Sequence, residues 1–540
     1  MAIVTEGHEV FSGRRFLIID DFPGMRTMLR EMLKSFGARE IDMASNGGEA
    51  IALLDKGRYD VVLCDYNLGA GKNGQQVLEE AKFRNLIGLT TAWMMVSAEK
   101  TTEMVMGAAE YTPDDYIVKP VNEATMKSRL VKILTRKEAF HEIEKAVRAK
   151  DFNRAISLCD EQLANRSGYA SDLLRMKSSL LLSTGQYDKA KKLFEQILAQ
   201  RDVPWAKTGL AKVYHLTKDY DMARQLLNAV VEENRAYLEG YDWLAKTLEE
   251  VGELGEAQRV LVRSAELSPN SVTRQKSLGE IAHRRGDLDT AEKAFRKTIT
   301  LGENSVLKTP VAYIGLAKIC SDKDNHAEAL KVLGDVHKHF DSAETTLHAK
   351  VVEGHVYRKA GDLVNARKVA AEVATAMSDA ATRMPAGVTV EAAELIMETG
   401  DKETASKLLK VVVQNNHESE KLLGQVKEVF AKGNLQEEGL KLVEASRREV
   451  AETNNQGVQL ARDGKLEEAV ELLRNAKTML PNNKRILLNL AYVMILFMKT
   501  HGKENGMVRE VRESIDRVLK LDPSEKMCGQ FQDMLDAIPD

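Results

Sequence analysis

The strongest constraint in this chain is a spacing. Alanines recur at 155, 190, 223, 257, 291, 329, 366, 405 and 469, at intervals of 35, 33, 34, 34, 38, 37, 39 and 64 residues. Six of them follow a glycine by five residues: Gly185, Gly252, Gly286, Gly361, Gly400 and Gly464. A period near 34 is that of stacked helix pairs, none of which buries its apolar face alone. In such a pair the glycine closes the first helix, where a left-handed backbone costs little. The alanine lets the second helix cross close to the first, because a larger side chain would hold the two apart. Ten prolines in 540 residues agree with a mostly helical chain.

One unit carries the whole scheme. YDWLAKTLEEVGELGEAQRVLVRSAELSPN places Leu244, Ala245, Leu248, Gly252, Ala257, Leu261, Ala265 and Pro269 at the repeating positions. The next unit repeats it with Leu278, Gly279, Ala282, Gly286, Ala291 and Phe295, and a late one with Gly457, Leu460, Gly464, Ala469, Leu473, Ala476 and Pro481. These units resemble the tetratricopeptide repeat. The resemblance implies an all-α superhelical solenoid over residues 136–540, with about nine to eleven repeats. A degenerate unit is expected around Leu423-Gly424, and an insertion around His501–Asn505 in the last unit, which ends at Leu521-Asp522-Pro523. Such arrays bind peptides or protein segments on a concave face lined by the first helix of each pair. Lys212, Lys246, Lys276 and Glu280 are therefore candidate partner contacts, although no carboxylate-clamp pattern runs across adjacent repeats.

The first 135 residues follow a different rule. Four apolar runs each end on a polar residue: Phe16–Ile19 on Asp20-Asp21, Val61–Cys64 on Asp65, Trp93–Val96 on Ser97, and Ile117-Val118 on Lys119-Pro120. Ile41–Met43 supplies a weaker strand. Between the first two strands Met25, Met28, Leu29, Met32 and Leu33 recur at helical spacing. Strands alternating with helices predict a parallel sheet covered on both faces, with Cys64, Met94 and Met95 in the core. Ligands bind such a sheet at the carboxyl ends of its strands. Asp20, Asp21, Asp65, Ser97 and Lys119 are thus expected to meet there. Three close carboxylates repel one another, and a hard, oxygen-preferring cation such as Mg2+ relieves that repulsion. A lysine and a hydroxyl opposite them suit the oxygens of a transferred phosphoryl group.

LIIDDFPGMR, VVLCDYNLG, MMVSAE and DYIVKP, in that order, closely resemble the receiver domains of bacterial two-component response regulators. The likeness covers residues 12–135, after an N-terminal tail over 1–11. It implies a doubly wound, flavodoxin-like α/β fold with a five-stranded parallel sheet. It implies that Asp65 takes a phosphoryl group from a histidine kinase or phosphotransfer protein. Asp20, Asp21, Asp65 and the backbone carbonyl of Asn67 would hold Mg2+. Ser97 and Lys119 would contact the phosphoryl oxygens, Tyr116 would act as the switch aromatic, and Lys119-Pro120 would be a cis peptide. The chain departs from the family in the loop YNLGAGKNG, with Gly69 where proline is usual and about one extra residue before Gly74. Asn67 and Glu99 flank the site at positions that influence hydrolysis in the family.

Other functions find less support. Net charge is −4. Divided after Thr135, the chain has 16 Lys/Arg against 19 Asp/Glu, then 61 against 62, so neither part has the basic excess of a nucleic-acid binder. Scattered cysteines at 64, 159, 320 and 528 point to reduced thiols in a cytoplasm and to neither disulfides nor zinc. No signal peptide is read at the N-terminus. The longest apolar stretch, Ile486–Met498 with Asn489 inside it, is too short to span a bilayer and reads as a buried repeat helix. His337 and His339 lack a metal-binding helix motif, and Glu328-Ala329-Leu330 lies within a repeat helix without the other motifs of a phosphodiesterase. No catalytic constellation appears in the array, so no enzyme activity is expected beyond the receiver's own phosphorylation and dephosphorylation.

Between Val121 and Asp151 there is neither glycine nor proline. The last receiver helix is therefore expected to lead almost directly into the first repeat helix, a junction able to transmit a shift. Together these features describe a cytoplasmic response regulator of a phosphorelay. Phosphorylation of Asp65 would change how a repeat scaffold meets a protein partner or a second copy of itself. The alternative is a scaffold or adaptor whose receiver serves only as a docking module or phosphate sink.

Overall fold

The computed structural model describes residues 10–98, 112–165, 168–380, 384–522 and 525–539. Glu99 and Pro523 lie outside them. The N-terminal domain contains β1 (Arg15–Ile19), α1 (Pro23–Phe36), β2 (Glu40–Ala44), α2 (Gly47–Lys56), β3 (Val61–Cys64), α3 (Gly74–Phe83), β4 (Ala92–Ser97), β5 (Asp115–Val118) and α4 (Glu123–Glu138). All strand pairs are parallel, in the order β2-β1-β3-β4-β5.

The strands are nearly continuous apolar runs because both of their faces are covered. Phe16, Ile18, Leu63 and Met94 pack with Leu29 and Leu33 of α1 and Met126 and Leu130 of α4. On the other face Leu17, Ile19, Val62, Cys64, Trp93 and Met95 pack with Ile51 and Leu54 of α2 and Val77 and Leu78 of α3. Cys64, Met94 and Met95 are core residues, as expected. One boundary moves. Phe11, assigned to the tail, is fully buried and packs against Phe16 and Phe36, with ring centroids 6.2 and 5.4 Å away. The receiver core therefore begins before residue 12.

Beyond α4 every described element is a helix. His141–Arg148 pairs with Phe152–Ala164, Ala170–Ser183 with Tyr187–Gln200, and Pro204–Leu216 with Tyr220–Glu233. Leu238–Glu250 then pairs with Leu254–Leu267, and Val272–Arg284 with Leu288–Gly302. The receiver and the repeats through residue 312 form one compact unit, and residues 313 onward, with 216–218, form another. In the second unit Ala343–Lys359 pairs with Leu363–Ala380, Ala386–Glu398 with Lys402–Asn415, and Glu420–Lys432 with Gln436–Arg462.

All nine periodic alanines are completely buried, and the six glycines before them have φ between 70° and 114°. The left-handed turn persists where glycine is absent: Lys150, Lys218 and Asp324, each five residues before a periodic alanine, have φ of 59°, 64° and 60°. The 64-residue interval is also explained. Gly439 takes the alanine's place, and a Cβ there would lie 2.7 Å from the Phe430 ring. Asn434, five residues earlier, has φ 55°. The degenerate unit therefore turns at Asn434, and Leu423 is a buried residue of its first helix. Its second helix runs unbroken for 27 residues, Gln436–Arg462, into the following unit.

At the junction only Ala139 and Phe140 separate α4 from His141–Arg148. Phe140 is buried with Ile143, Cys159 and Leu173, so the first repeat's core anchors the end of the receiver. The apolar stretch 486–498 lies in Lys484–His501, where Asn489 donates to Asn454 at 2.8 Å. Among the described residues no helix is long and apolar enough to cross a membrane.

Candidate functional site at the strand ends

The strand register brings the polar residues together. Ile19 is level with Cys64, Cys64 with Met95, and Ser97 with Val118. The residues that follow β1, β3 and β5 therefore emerge side by side. Asp65 N–H donates to the Ile19 carbonyl at 2.8 Å, and Lys119 N–H to the Ser97 carbonyl at 2.8 Å. Asp20, Asp21 and Asp65 each offer a carboxylate oxygen, and the three lie within 4.8 Å of one another. Among the described residues they are the one such cluster of metal-ligating side chains.

Lys119 neutralises part of this charge. Its Nζ donates to Asp20 Oδ2 at 2.8 Å and to Asp65 Oδ2 at 2.6 Å. Asp20 is 1% exposed, and its Oδ1 accepts from Phe22 N–H at 2.9 Å. Burial pushes the Asp20 carboxyl above its ordinary value, against the pull of Lys119 and the Phe22 amide, and the charge on Asp65 adds to the rise. Lys119 moves the other way from its burial: hydrogen bonds to Asp20 and Asp65 outweigh desolvation and raise it. The Cys64 thiol is pushed far up, by complete burial first and by Asp65 and Asp20 next, so it is neutral packing. Oxygen donors only, carrying more negative charge than one lysine balances, fit a hard divalent cation.

The turn after Asp65 is set by contact. A Cβ on Gly74 would fall 1.9 Å from the Asp65 carbonyl oxygen and 2.9 Å from Cys64 Sγ, so only glycine fits. Gly74 N–H donates to the Tyr66 carbonyl at 2.8 Å. Asn73 caps α3 through a reciprocal box with Gln76. Asn67 is exposed, and its Oδ1 accepts from Gly69 N–H at 3.3 Å. Ser97 is buried at the end of β4, and half-buried Tyr116 packs at the edge of the α2–α3 face. Lys119-Pro120 is cis.

Two of the candidate contacts on the repeats, Lys212 and Lys246, also converge. Lys212 pairs with Glu239, its Nζ lies 5.2 Å from the Trp243 ring centre, and Lys246 Nζ lies 4.6 Å from the same centre. Lys276 and Glu280 form an i,i+4 pair at 4.0 Å, one turn apart on the next first helix. Burial, with a smaller push from Glu249, raises the Glu280 carboxyl against Lys276 and Arg284. Charge reasoning overlooked Trp243 and Trp205, whose ring lies 5.0 Å from the Arg175 guanidinium. Their rarity was the available signal, because two of only three tryptophans lie in neighbouring first helices.

The response regulator receiver domain model matches residues 16–131. A tetratricopeptide repeat model matches 181–246, and a tetratricopeptide repeat-like domain model matches 274–385. Chemotaxis protein CheY-3 of Vibrio cholerae is 33% identical over 122 residues, 23% of this chain and 92% of the relative. Chemotaxis protein CheY of Pseudomonas aeruginosa is 28% identical over 122 residues, 23% of this chain and 97% of the relative. A solved structure of CheY4 of Vibrio cholerae is 26% identical, covering 22% of this chain and 98% of its own, with a TM-score of 0.21. The chain belongs to the response regulator receiver family through its N-terminal domain. It couples that receiver to tetratricopeptide repeats, which places it among two-component signalling proteins with a protein-interaction module.

Proposed function

We propose that Asp65 accepts a phosphoryl group from a histidine kinase or phosphotransfer protein, and that this controls which proteins the repeats bind. The observation that carries the reading is the convergence of Asp20, Asp21, Asp65 and Lys119 at the sheet's carboxyl edge. An Asp65 carboxylate oxygen attacks the phosphorus of a phosphohistidine. The P–N bond breaks, an acyl phosphate forms, and the imidazole leaves with a proton from solvent. Negative charge spreads over the phosphoryl oxygens as this happens, so positioned positive charge does most of the work. Lys119, already on Asp65, follows the new oxygens, and Ser97 lines the same strand end. Asp20, Asp21, Asp65 and the Asn67 carbonyl would hold Mg2+, which supplies further neutralisation. The repeats act as a binding module for protein segments, a second copy of the chain included, and not as an enzyme.

The test is labelling of the full chain by acetyl phosphate with Mg2+, followed by pull-downs with and without beryllofluoride. Wild type should take label and change its bound partners, whereas Asp65→Asn should do neither. Folded wild-type protein that takes no label would refute the receiver chemistry. Identical partners in every state would refute control of the repeats.

A further inference from the structure

Two irregularities of the sequence meet in space. The first is the loop after Asp65, which the resemblance to the receiver family makes about one residue longer than usual before Gly74, and which contains one basic side chain, Lys72. The second lies in the repeats, where the interval from Ala291 to Ala329 lengthens to 38. The extra length falls in the connection 303–309, which is longer than the equivalent connections 234–237 and 268–271.

That connection closes on the receiver. Lys72 Nζ donates to the Asn304 carbonyl at 2.7 Å, and Gln76 Nε2 to the Leu301 carbonyl at 3.2 Å. Ser305 Oγ donates to the Glu79 carboxylate, with both residues buried. The same Ser305 Oγ accepts from Leu307 N–H at 2.9 Å, which fixes the turn. Gln76 and Glu79 lie one turn apart on α3, so one helix face meets both the end of helix Leu288–Gly302 and the start of the connection. The route back to Asp65 is short. The Asp65 carbonyl lies against Gly74, the first residue of α3, with no space for even a methyl group. At the loop's other end, Lys72 packs on Gly47, where a Cβ would come within 2.7 Å of the Lys72 Cβ.

We infer that the 303–309 connection is an internal docking element that grips the phosphorylation loop and α3, and that phosphorylation of Asp65 releases it. The inference rests on the function proposed above and names its transmission contact. Phosphorylation turns the Asp65 carboxylate into an acyl phosphate of about −1.5 to −2 charges, a net gain of about one negative charge at one end of a loop whose single lysine is held at the other end by Asn304 and Glu80. Drawing Lys72 toward that charge breaks its bond to the repeats, and the rigid contact between Asp65 and Gly74 passes any shift of the acceptor into α3. The linkage is reciprocal: a connection that resists phosphorylation is loosened by it to the same extent.

Hydrogen exchange of the full chain, read at 72–80 and 301–308 with and without beryllofluoride and Mg2+, tests this. Exchange at both segments should rise when beryllofluoride binds wild type. The double variant Gln76→Ala/Ser305→Ala should exchange fast without it, and should bind beryllofluoride about fivefold more tightly or better. Fluorine NMR reports occupancy of Asp65 independently. Occupied Asp65 with unchanged exchange at 301–308, or unchanged affinity in the double variant, overturns the docking switch while leaving the acceptor chemistry standing. No occupancy at all overturns both.

Discussion

At the residue scale the acceptor depends on a neighbour with no side chain. Asp65 is held by its own peptide bonds as much as by Lys119: its amide bonds to β1 and its carbonyl abuts Gly74. Gly74→Ala should therefore impair phosphorylation although it changes no charge. The added methyl forces backbone to move, at a cost of about 1–3 kcal/mol, and displaces the carboxylate it supports. The expected outcome is a large drop in acetyl phosphate labelling with the helical content unchanged by circular dichroism. The acidic pair, Asp65, Ser97 and Lys119 were all legible in the sequence, because each directly ends an apolar run. Gly74 was legible only as a loop residue, because its role is a contact and not a chemistry.

At the scale of the helix pair, the turn before each buried alanine demands a left-handed residue whatever the sequence supplies. Lys150 occupies it at φ 59° and is exposed. Left-handed backbone costs a side chain roughly 1–2 kcal/mol, so Lys150→Gly should stabilise the first pair by about 1 kcal/mol after glycine's extra chain entropy. Urea unfolding of the full chain, followed by exchange at 141–164, checks it. Between pairs, Glu391 joins three first helices of the second unit, bonded by Lys318 at 2.7 Å and His348 at 3.3 Å. Burial raises its carboxyl, but His348 and Lys318 outweigh it and hold the group at about 2, below its ordinary 4.5. Its contribution is thus present above pH 4.5 and is lost as pH falls toward 2. With 35% of the side chain in water, the loss should be on the order of 1 kcal/mol. Glu391→Gln should flatten the acid dependence of thermal unfolding between pH 5 and 3; an unchanged slope would contradict the linkage.

At the scale of the molecule, the receiver is not a bead on a string. Phe140, two residues past its last helix, sits inside the first repeat's core, and Glu144 of that repeat accepts from Thr90 N–H at 2.6 Å, on the loop before β4. Phe140→Ala removes a ring from a small cluster and should cost about 3–5 kcal/mol. Its signature is faster exchange in both α4 and helix 141–148, which a cavity confined to one domain would not produce. The missing Gly/Ser linker predicted this continuity. The second attachment, through 303–309, was visible only as a lengthened interval of no evident purpose.

Local chemistry and period were properties of the sequence alone. The polar residue at each strand end, the 34-residue repeat and the turn-and-alanine pair follow from side-chain size, backbone freedom and apolar spacing, which act within one element or one pair. They were enough to place a parallel α/β domain before a helical repeat array and to gather Asp65 with its polar neighbours; the resemblance of the motifs to the receiver family then gave Asp65 its expected role. What the tertiary structure decided lies in contacts between elements: Phe11 on Phe36 in the receiver core, Gly439 standing in for an alanine against Phe430, Lys212 on Trp243, and Ser305 on Glu79. Each depends on which surfaces come within a few ångströms, and no local pattern encodes that distance.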